Sequence, residues 1–177
     1  MRKLFAMLVL LTLPALAFVA VSVAGEGVAG VDKSYRVDER VSTGGQPTPA
    51  QLATLKDLGF RTVVNLREPE EFDAAGEAAA ARDLGLAYVT IPVKTAGPKS
   101  EQVDAFLDAL KDPAVFPVFL HCGSGNRVGA FWMIRRVIVD RWSVYDAEQE
   151  ALQIGLKSPN LREFALAEIA NRMKPGR

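Results

Sequence analysis

The stretch from Val115 to Ile134 constrains this chain more than any other part of it. Val115-Phe116-Pro117-Val118-Phe119-Leu120 is a short apolar run, the pattern of a buried strand. It leads into His121-Cys122-Gly123-Ser124-Gly125-Asn126-Arg127, a glycine-rich turn holding the only histidine and the only cysteine of 177 residues. Val128-Gly129-Ala130-Phe131-Trp132-Met133-Ile134 follows with a helix-like composition. A buried strand that turns tightly into a helix is the repeating unit of a sheet covered by helices on both faces.

The rest of the chain keeps this alternation. Val37–Thr43 reads as a first strand, stopped by Gly44-Gly45-Gln46-Pro47. Thr48 caps a helix with Pro49 in its first position, running through Leu52, Leu55 and Leu58 to Gly59. Phe60–Leu66 is a second strand, Glu70–Leu84 an alanine-rich helix, and Ala87–Val93 a third strand. Ser100 opens a helix whose Val103, Phe106, Leu107 and Leu110 share one face. Beyond the cysteine turn, helices are expected to about Val139, from Ser143 to Ile154, and from Ser158-Pro159 to Met173. The expected fold class is α/β, a central, mostly parallel sheet flanked by helices in three layers. The cysteine turn then lies at the carboxyl end of a strand, where such sheets place ligands. Phe131 and Trp132 are expected in the core.

Residues 1–24 read as a secretory signal: Arg2 and Lys3 precede an uncharged apolar stretch from Leu4 to Ala24, with Ser22 and Ala24 as small residues for cleavage. The stretch is also long enough to span a bilayer, so an uncleaved anchor is the alternative. Either way the expected location is outside the cytoplasm, periplasmic or secreted. Residues 25–36, rich in glycine, valine and alanine, read as a linker, and 37–177 as one domain. Without Arg2 and Lys3 the chain carries two more acidic than basic residues, and no basic stripe suggests nucleic acid as a partner. One thiol excludes an internal disulfide. One histidine and one cysteine leave a thiolate–imidazole zinc site short of ligands. No cofactor and no metal are expected.

The chemistry of the turn follows from its residue types. Gly123 and Gly125 allow successive backbone N–H groups to turn inward as a nest for an anion. The helix that follows adds the partial positive charge of its N-terminus. The same dipoles favour the thiolate form of Cys122. Arg127 brings a two-pronged donor that fits an oxyanion. Backbone groups from Gly123, Ser124, Gly125 and Asn126, together with Arg127, therefore make the expected oxyanion site facing the nucleophile Cys122. His121 is expected to orient the loop by hydrogen bonding.

These runs resemble the cysteine-dependent phosphatases of the dual-specificity and tyrosine-phosphatase type, especially the small bacterial group called beta-lactamase-hydrolase-like phosphatases, also named as a sulfur-transferase family. The carriers are Gly44-Gly45-Gln46-Pro47, Gly59-Phe60-Arg61-Thr62-Val63-Val64-Asn65-Leu66-Arg67, Ile91-Pro92-Val93, and His121-Cys122 through Arg127-Val128-Gly129-Ala130. The resemblance implies phosphomonoester hydrolysis through a phosphocysteine at Cys122, with Arg127 binding the oxyanion. The implied partner is a phosphorylated protein or a small phosphorylated molecule. A membrane enters only through the N-terminal segment if it is uncleaved.

Three departures keep other readings open. Four residues separate Cys122 from Arg127, where phosphatases of this type usually have five; single-domain rhodaneses share the shorter loop. Val128 stands where a serine or threonine usually helps the thiolate leave, a role Ser124 could partly fill. No carboxylate occurs between Lys94 and Lys99, where the general acid is usually placed. Glu68, Glu70, Glu71 and Asp73 are the candidates, with Glu68 and Asp73 foremost; Asp104 reads as a solvated helix residue. A missing acid favours substrates with good leaving groups. A rhodanese-like sulfurtransferase using a Cys122 persulfide, or a non-catalytic anion- or protein-binding module, are the alternatives.

Overall fold

A computed structural model describes residues 25–174 of the chain, so the expected signal at 1–24 lies outside the described residues. Five strands form one sheet in the order β1-β2-β5-β3-β4: β1 Tyr35–Arg36, β2 Val41–Gly44, β3 Thr62–Asn65, β4 Ala87–Thr90 and β5 Val118–His121. Strands β2, β5, β3 and β4 are parallel to their neighbours, and only the two-residue β1 runs antiparallel, at the edge. All residues of β2, β3 and β5 are buried, as the centre of a sheet covered on both faces requires.

Alternate residues feed two cores. Val63 and Phe119 point to one face, where they pack with Leu52, Leu55, Ala81 and Leu86 from α1 (Pro49–Asp57), α2 (Ala74–Asp83) and the turn after it. Val64, Val118 and Leu120 point to the other, against α3 (Ser100–Ala109), α4 (Asn126–Ile138), α5 (Val144–Ile154) and α6 (Pro159–Arg172). Helix α4 is buried almost throughout, between the sheet and its neighbours α5 and α6. It approaches α5 closely because Gly129 has no side chain: a Cβ there would lie 2.8 Å from the Ala151 carbonyl oxygen. Among the described residues no helix is long and apolar enough to cross a membrane.

Three expectations need correction. Residues 25–36 are not a free linker. Val28 and Val31 are buried in the α1/α2 core, Gly45 N–H donates to the Asp32 carbonyl at 2.7 Å, and Tyr35–Arg36 adds a strand. The apolar valines in an otherwise glycine-rich stretch are what fold it back. The first strand does not run continuously from Val37, because Asp38 Oδ1 accepts from the N–H groups of Arg40 and Val41 at 2.8 and 2.9 Å and bends the chain there. The Glu70–Leu84 helix is two pieces. Pro69–Glu71 is a single 3-10 turn, Phe72 is extended (φ −165°), and Asp73 caps α2 by accepting from Gly76 N–H at 2.9 Å. That break lets Glu71 turn back toward the carboxyl ends of the strands.

Candidate active site

Register brings the distant sequence runs together. Gly44 of β2 and Asn65 of β3 both pair with His121 of β5, so the three strands end level with one another. Gly44-Gly45-Gln46, Asn65-Leu66-Arg67 and the cysteine turn therefore emerge side by side from the same edge of the sheet. Cys122 N–H donates to the Gly44 carbonyl at 3.4 Å, and Gly45 pairs with Ser124 as an isolated antiparallel bridge. The turn is held at both ends before any ligand arrives.

Glycine is required within it. Gly125 caps α4 in the left-handed region (φ 79°), and a Cβ on it would lie 2.2 Å from the Ile154 carbonyl oxygen. The first helical amide to find a carbonyl is that of Gly129, which donates to Gly125 at 2.8 Å. The amides of Asn126, Arg127 and Val128 belong to the donors that a helix start leaves unpaired. Cys122 is a free, buried thiol one residue beyond β5, while Gly123 and Ser124 are exposed. The turn thus opens to solvent over a shielded sulfur.

Arg127 lies in the first turn of α4 and is buried. Its Nη1 donates to the Val93 carbonyl at 2.9 Å and to Glu71 Oε1, and its Nη2 to Glu71 Oε2 at 2.7 Å. Burial works against its charge, but the Glu71 carboxylate and the adjacent Cys122 sulfur more than offset this, and its pKa is raised. On the other side, the hydrogen bond from Arg127 holds the Glu71 carboxyl at about 2, well below the ordinary carboxylate range. The edge between Nη1 and Nη2, one of the two that suit an oxyanion, is taken by a carboxylate of the protein itself.

A second layer of polar groups stands behind this pair. Arg67 donates from Nε to Glu71 Oε2 at 3.3 Å, from Nη2 to the Glu71 carbonyl and from Nη1 to Gln46 Oε1 at 2.8 Å. Its guanidinium carbon lies 4.9 Å from the centre of the Phe72 ring. Gln46 in turn donates through Nε2 to Glu77, a buried carboxylate of α2. Asn65 supports the same corner, with Oδ1 accepting from Arg67 N–H at 2.8 Å and Nδ2 donating to the Tyr88 hydroxyl at 3.1 Å. Burial, followed by the Glu77 charge, pushes the Tyr88 phenol up.

Several expected roles change. His121 does not bond the cysteine turn through its ring. The imidazole is fully buried on the other face of the sheet, stacked on Phe119, with Nε2 2.9 Å from Glu77 Oε1 but out of hydrogen-bonding line. Alternation along β5 forces this, since neighbouring residues face opposite sides. The side chain of Asn126 faces away from the thiol and accepts from the N–H groups of Lys157 and Ser158 at 2.9 and 3.1 Å, pinning the α5–α6 turn to the start of α4. Asp73 is occupied as a helix cap, and Glu68 faces the exposed Lys94 at 3.8 Å. Asp104 is exposed but paired with Arg172 at 2.7 Å. Of the acidic run, only Glu71 reaches Arg127.

The residues missed in sequence were Arg67, Gln46, Asn65 and Glu77. The first three lie within runs that the sequence already singles out. Glu77 gave one signal, a lone carboxylate among the small residues Ala74-Ala75-Gly76 and Ala78-Ala79-Ala80-Ala81 of a helix that packs on a sheet.

A family model described as DSP-PTPase phosphatase fused to NAD+ kinase matches residues 12–168. The chain belongs to this phosphatase family. A beta-lactamase hydrolase-like protein of Agrobacterium fabrum is 32% identical over 122 residues, 66% of this chain and 28% of that protein. The chain thus spans about a quarter of the length of the beta-lactamase hydrolase-like proteins it matches. Among solved structures, a DUF442 protein of Shewanella putrefaciens CN-32 superposes with a TM-score of 0.70 at 24% identity, covering 82% of this chain and 96% of that one. TpbA of P. aeruginosa in complex with phosphotyrosine superposes with a TM-score of 0.61 at 20% identity, covering 86% and 91%. The phosphatase-family sheet, with four of its five strands parallel to their neighbours, is therefore the fold of this chain.

Proposed function

We propose that the protein is an exported phosphomonoester hydrolase in which Cys122 forms a phosphocysteine and Arg127 holds the phosphoryl oxygens. The observation that carries this reading is the seating of Arg127. A buried guanidinium lies beside the Cys122 sulfur and presents two parallel N–H donors to one planar anion, at present Glu71. A phosphoryl group offers the same pair of oxygens. The phosphotyrosine bound by TpbA supports a phosphorylated compound as the substrate class.

In the first step the Cys122 thiolate attacks phosphorus, an S–P bond forms, and the P–O ester bond breaks with its electron pair leaving on the ester oxygen. The loop amides and Arg127 stabilise the charge on the non-bridging oxygens. Water then attacks phosphorus, the S–P pair returns to sulfur as thiolate, and phosphate and a proton leave. Glu71, with a pKa of about 2, is a carboxylate at neutral pH and has no proton to give the leaving oxygen. That oxygen takes its proton from water, so aryl esters, which leave readily as anions, are the favoured substrates.

Purified protein and Cys122→Ser assayed with an aryl phosphate, and in parallel with thiosulfate plus cyanide, test this directly. Aryl phosphate turnover that disappears in the variant supports the reading. Thiocyanate formation without phosphatase activity replaces it with persulfide chemistry, and anion binding without any turnover replaces it with a binding module. Export rests on Arg2, Lys3 and the apolar stretch that follows. A reporter active only outside the cytoplasm, fused after residue 36, is expected to be active; an inactive, cytoplasmic fusion contradicts it.

A further inference from the structure

Two arginines face the open side of Gly123. A Cβ on this residue would lie 3.6 Å from Arg127 Nη2 and 4.0 Å from Arg67 Nε. Both nitrogens donate to the same oxygen, Glu71 Oε2, at 2.7 and 3.3 Å, so a single small anion already spans the two guanidinium groups. Arg67 is no ordinary surface cation, because its side chain is only 14% exposed. Its Nη1 is tied to Gln46, its Nη2 to the Glu71 carbonyl, and its face to Phe72. The Gln46 amide is itself fixed by buried Glu77. These contacts aim the guanidinium while using only three of its five N–H groups, one of them in the long bond to the Glu71 carboxylate.

Resting on the phosphatase reading above, we infer that Arg67 is a second anion-binding residue and that the substrate carries two neighbouring anionic groups. One is seated on Arg127 beside Cys122, the other on Arg67. A diphosphate, or a phosphate ester next to a carboxylate, has this chemistry. The Glu71 carboxylate marks the seat and leaves it when the ligand arrives. With Glu71 in place, two arginines and one carboxylate leave a single positive charge at the seat. A ligand with two anionic groups needs the positive charge that Glu71 now neutralises. Glu71 sits on an exposed three-residue 3-10 turn, so its side chain can swing out to solvent while its carbonyl stays on Arg67 Nη2.

The test is calorimetric titration of full-length Cys122→Ser, which cannot turn over, with inorganic pyrophosphate and with inorganic phosphate. Pyrophosphate is expected to bind at least about tenfold more tightly. Adding Arg67→Gln should erase that preference, costing pyrophosphate at least about tenfold more affinity than it costs phosphate, and Arg67→Lys should restore part of it. Equal affinity for the two anions in the Cys122→Ser parent overturns the inference, even if Arg67→Gln fails to fold. An equal loss of both anions in Arg67→Gln also overturns it, since that is what a purely supporting role would give. Aryl phosphate turnover by the wild type is read separately: its absence, with the pyrophosphate preference intact, removes the phosphatase reading and leaves the two-arginine site standing.

Discussion

Glu71 and Arg127, 56 residues apart in the chain, form a two-pronged ion pair at the mouth of the cysteine turn, with Nη2 2.7 Å from Oε2. The pair holds the guanidinium in position beside Cys122 and also occupies one edge, Nη1 and Nη2, that an oxyanion could use. One contact therefore both preorganises the site and competes with its ligand.

Replacing Glu71 separates those two effects. Glu71→Gln keeps the shape but removes the competing charge, and is expected to tighten inorganic phosphate by about tenfold, the equivalent of ~1.4 kcal/mol. Calorimetric titration measures this. Affinity that stays the same or weakens would show Glu71 to be a support for Arg127 and not an occupant of its seat.

The low pKa of Glu71 links this pair to acid stability. A carboxyl held at about 2 when folded, against an ordinary 4.5, stabilises the fold fully above about pH 4.5. That contribution is lost as pH falls through the folded value. Denaturant unfolding should show wild type more stable than Glu71→Gln at neutral pH, with the gap closing between about pH 4.5 and about pH 2. A gap that does not change with pH would mean that the two variants differ for some other reason.

Two glycines of the turn should respond in opposite ways. Gly125→Ala forces a left-handed backbone on alanine and drives its methyl into the Ile154 carbonyl. A loss of about 2–4 kcal/mol of stability is expected from conformational strain and overpacking together. Gly123→Ala meets nothing closer than 3.6 Å, so stability should stay within about 0.5 kcal/mol while its methyl intrudes on the anion seat. Thermal melts and phosphate binding, read side by side, distinguish the two; a folded Gly123→Ala that binds phosphate like wild type would place the anion elsewhere.

Asp73 should behave as a cap. Asp73→Ala removes the oxygen that accepts from Gly76 N–H and is expected to cost about 1 kcal/mol. A large fall in kcat at unchanged stability would instead restore Asp73 as a proton donor.

Much of the fold was legible in the sequence because its signals are local. Thr48 and Pro49 mark the start of α1, Ser143 that of α5, and Ser158 with Pro159 that of α6, and each cap accepts the expected hydrogen bond. The cysteine turn was legible for the same reason, since its glycines, thiol and arginine are consecutive. What could not be read depends on distant partners. Glu71 and Asp73 are two residues apart in one acidic run, and only the extended Phe72 between them decides that one reaches Arg127 and the other caps a helix. His121 looked like a loop residue by its neighbours, yet strand alternation sends its ring to the opposite face, against Glu77. Residues 25–36 looked like a linker by composition, while two buried valines, Val28 and Val31, are enough to hold them against the fold.

The most direct test of the central claim is to catch the phosphorylated enzyme. Protein mixed with an aryl phosphate, quenched in acid within the first turnovers and mapped by mass spectrometry should carry one phosphoryl group, on the peptide containing Cys122, and none in Cys122→Ser. Steady release of phosphate with no adduct at Cys122, or continued release by Cys122→Ser, would contradict it.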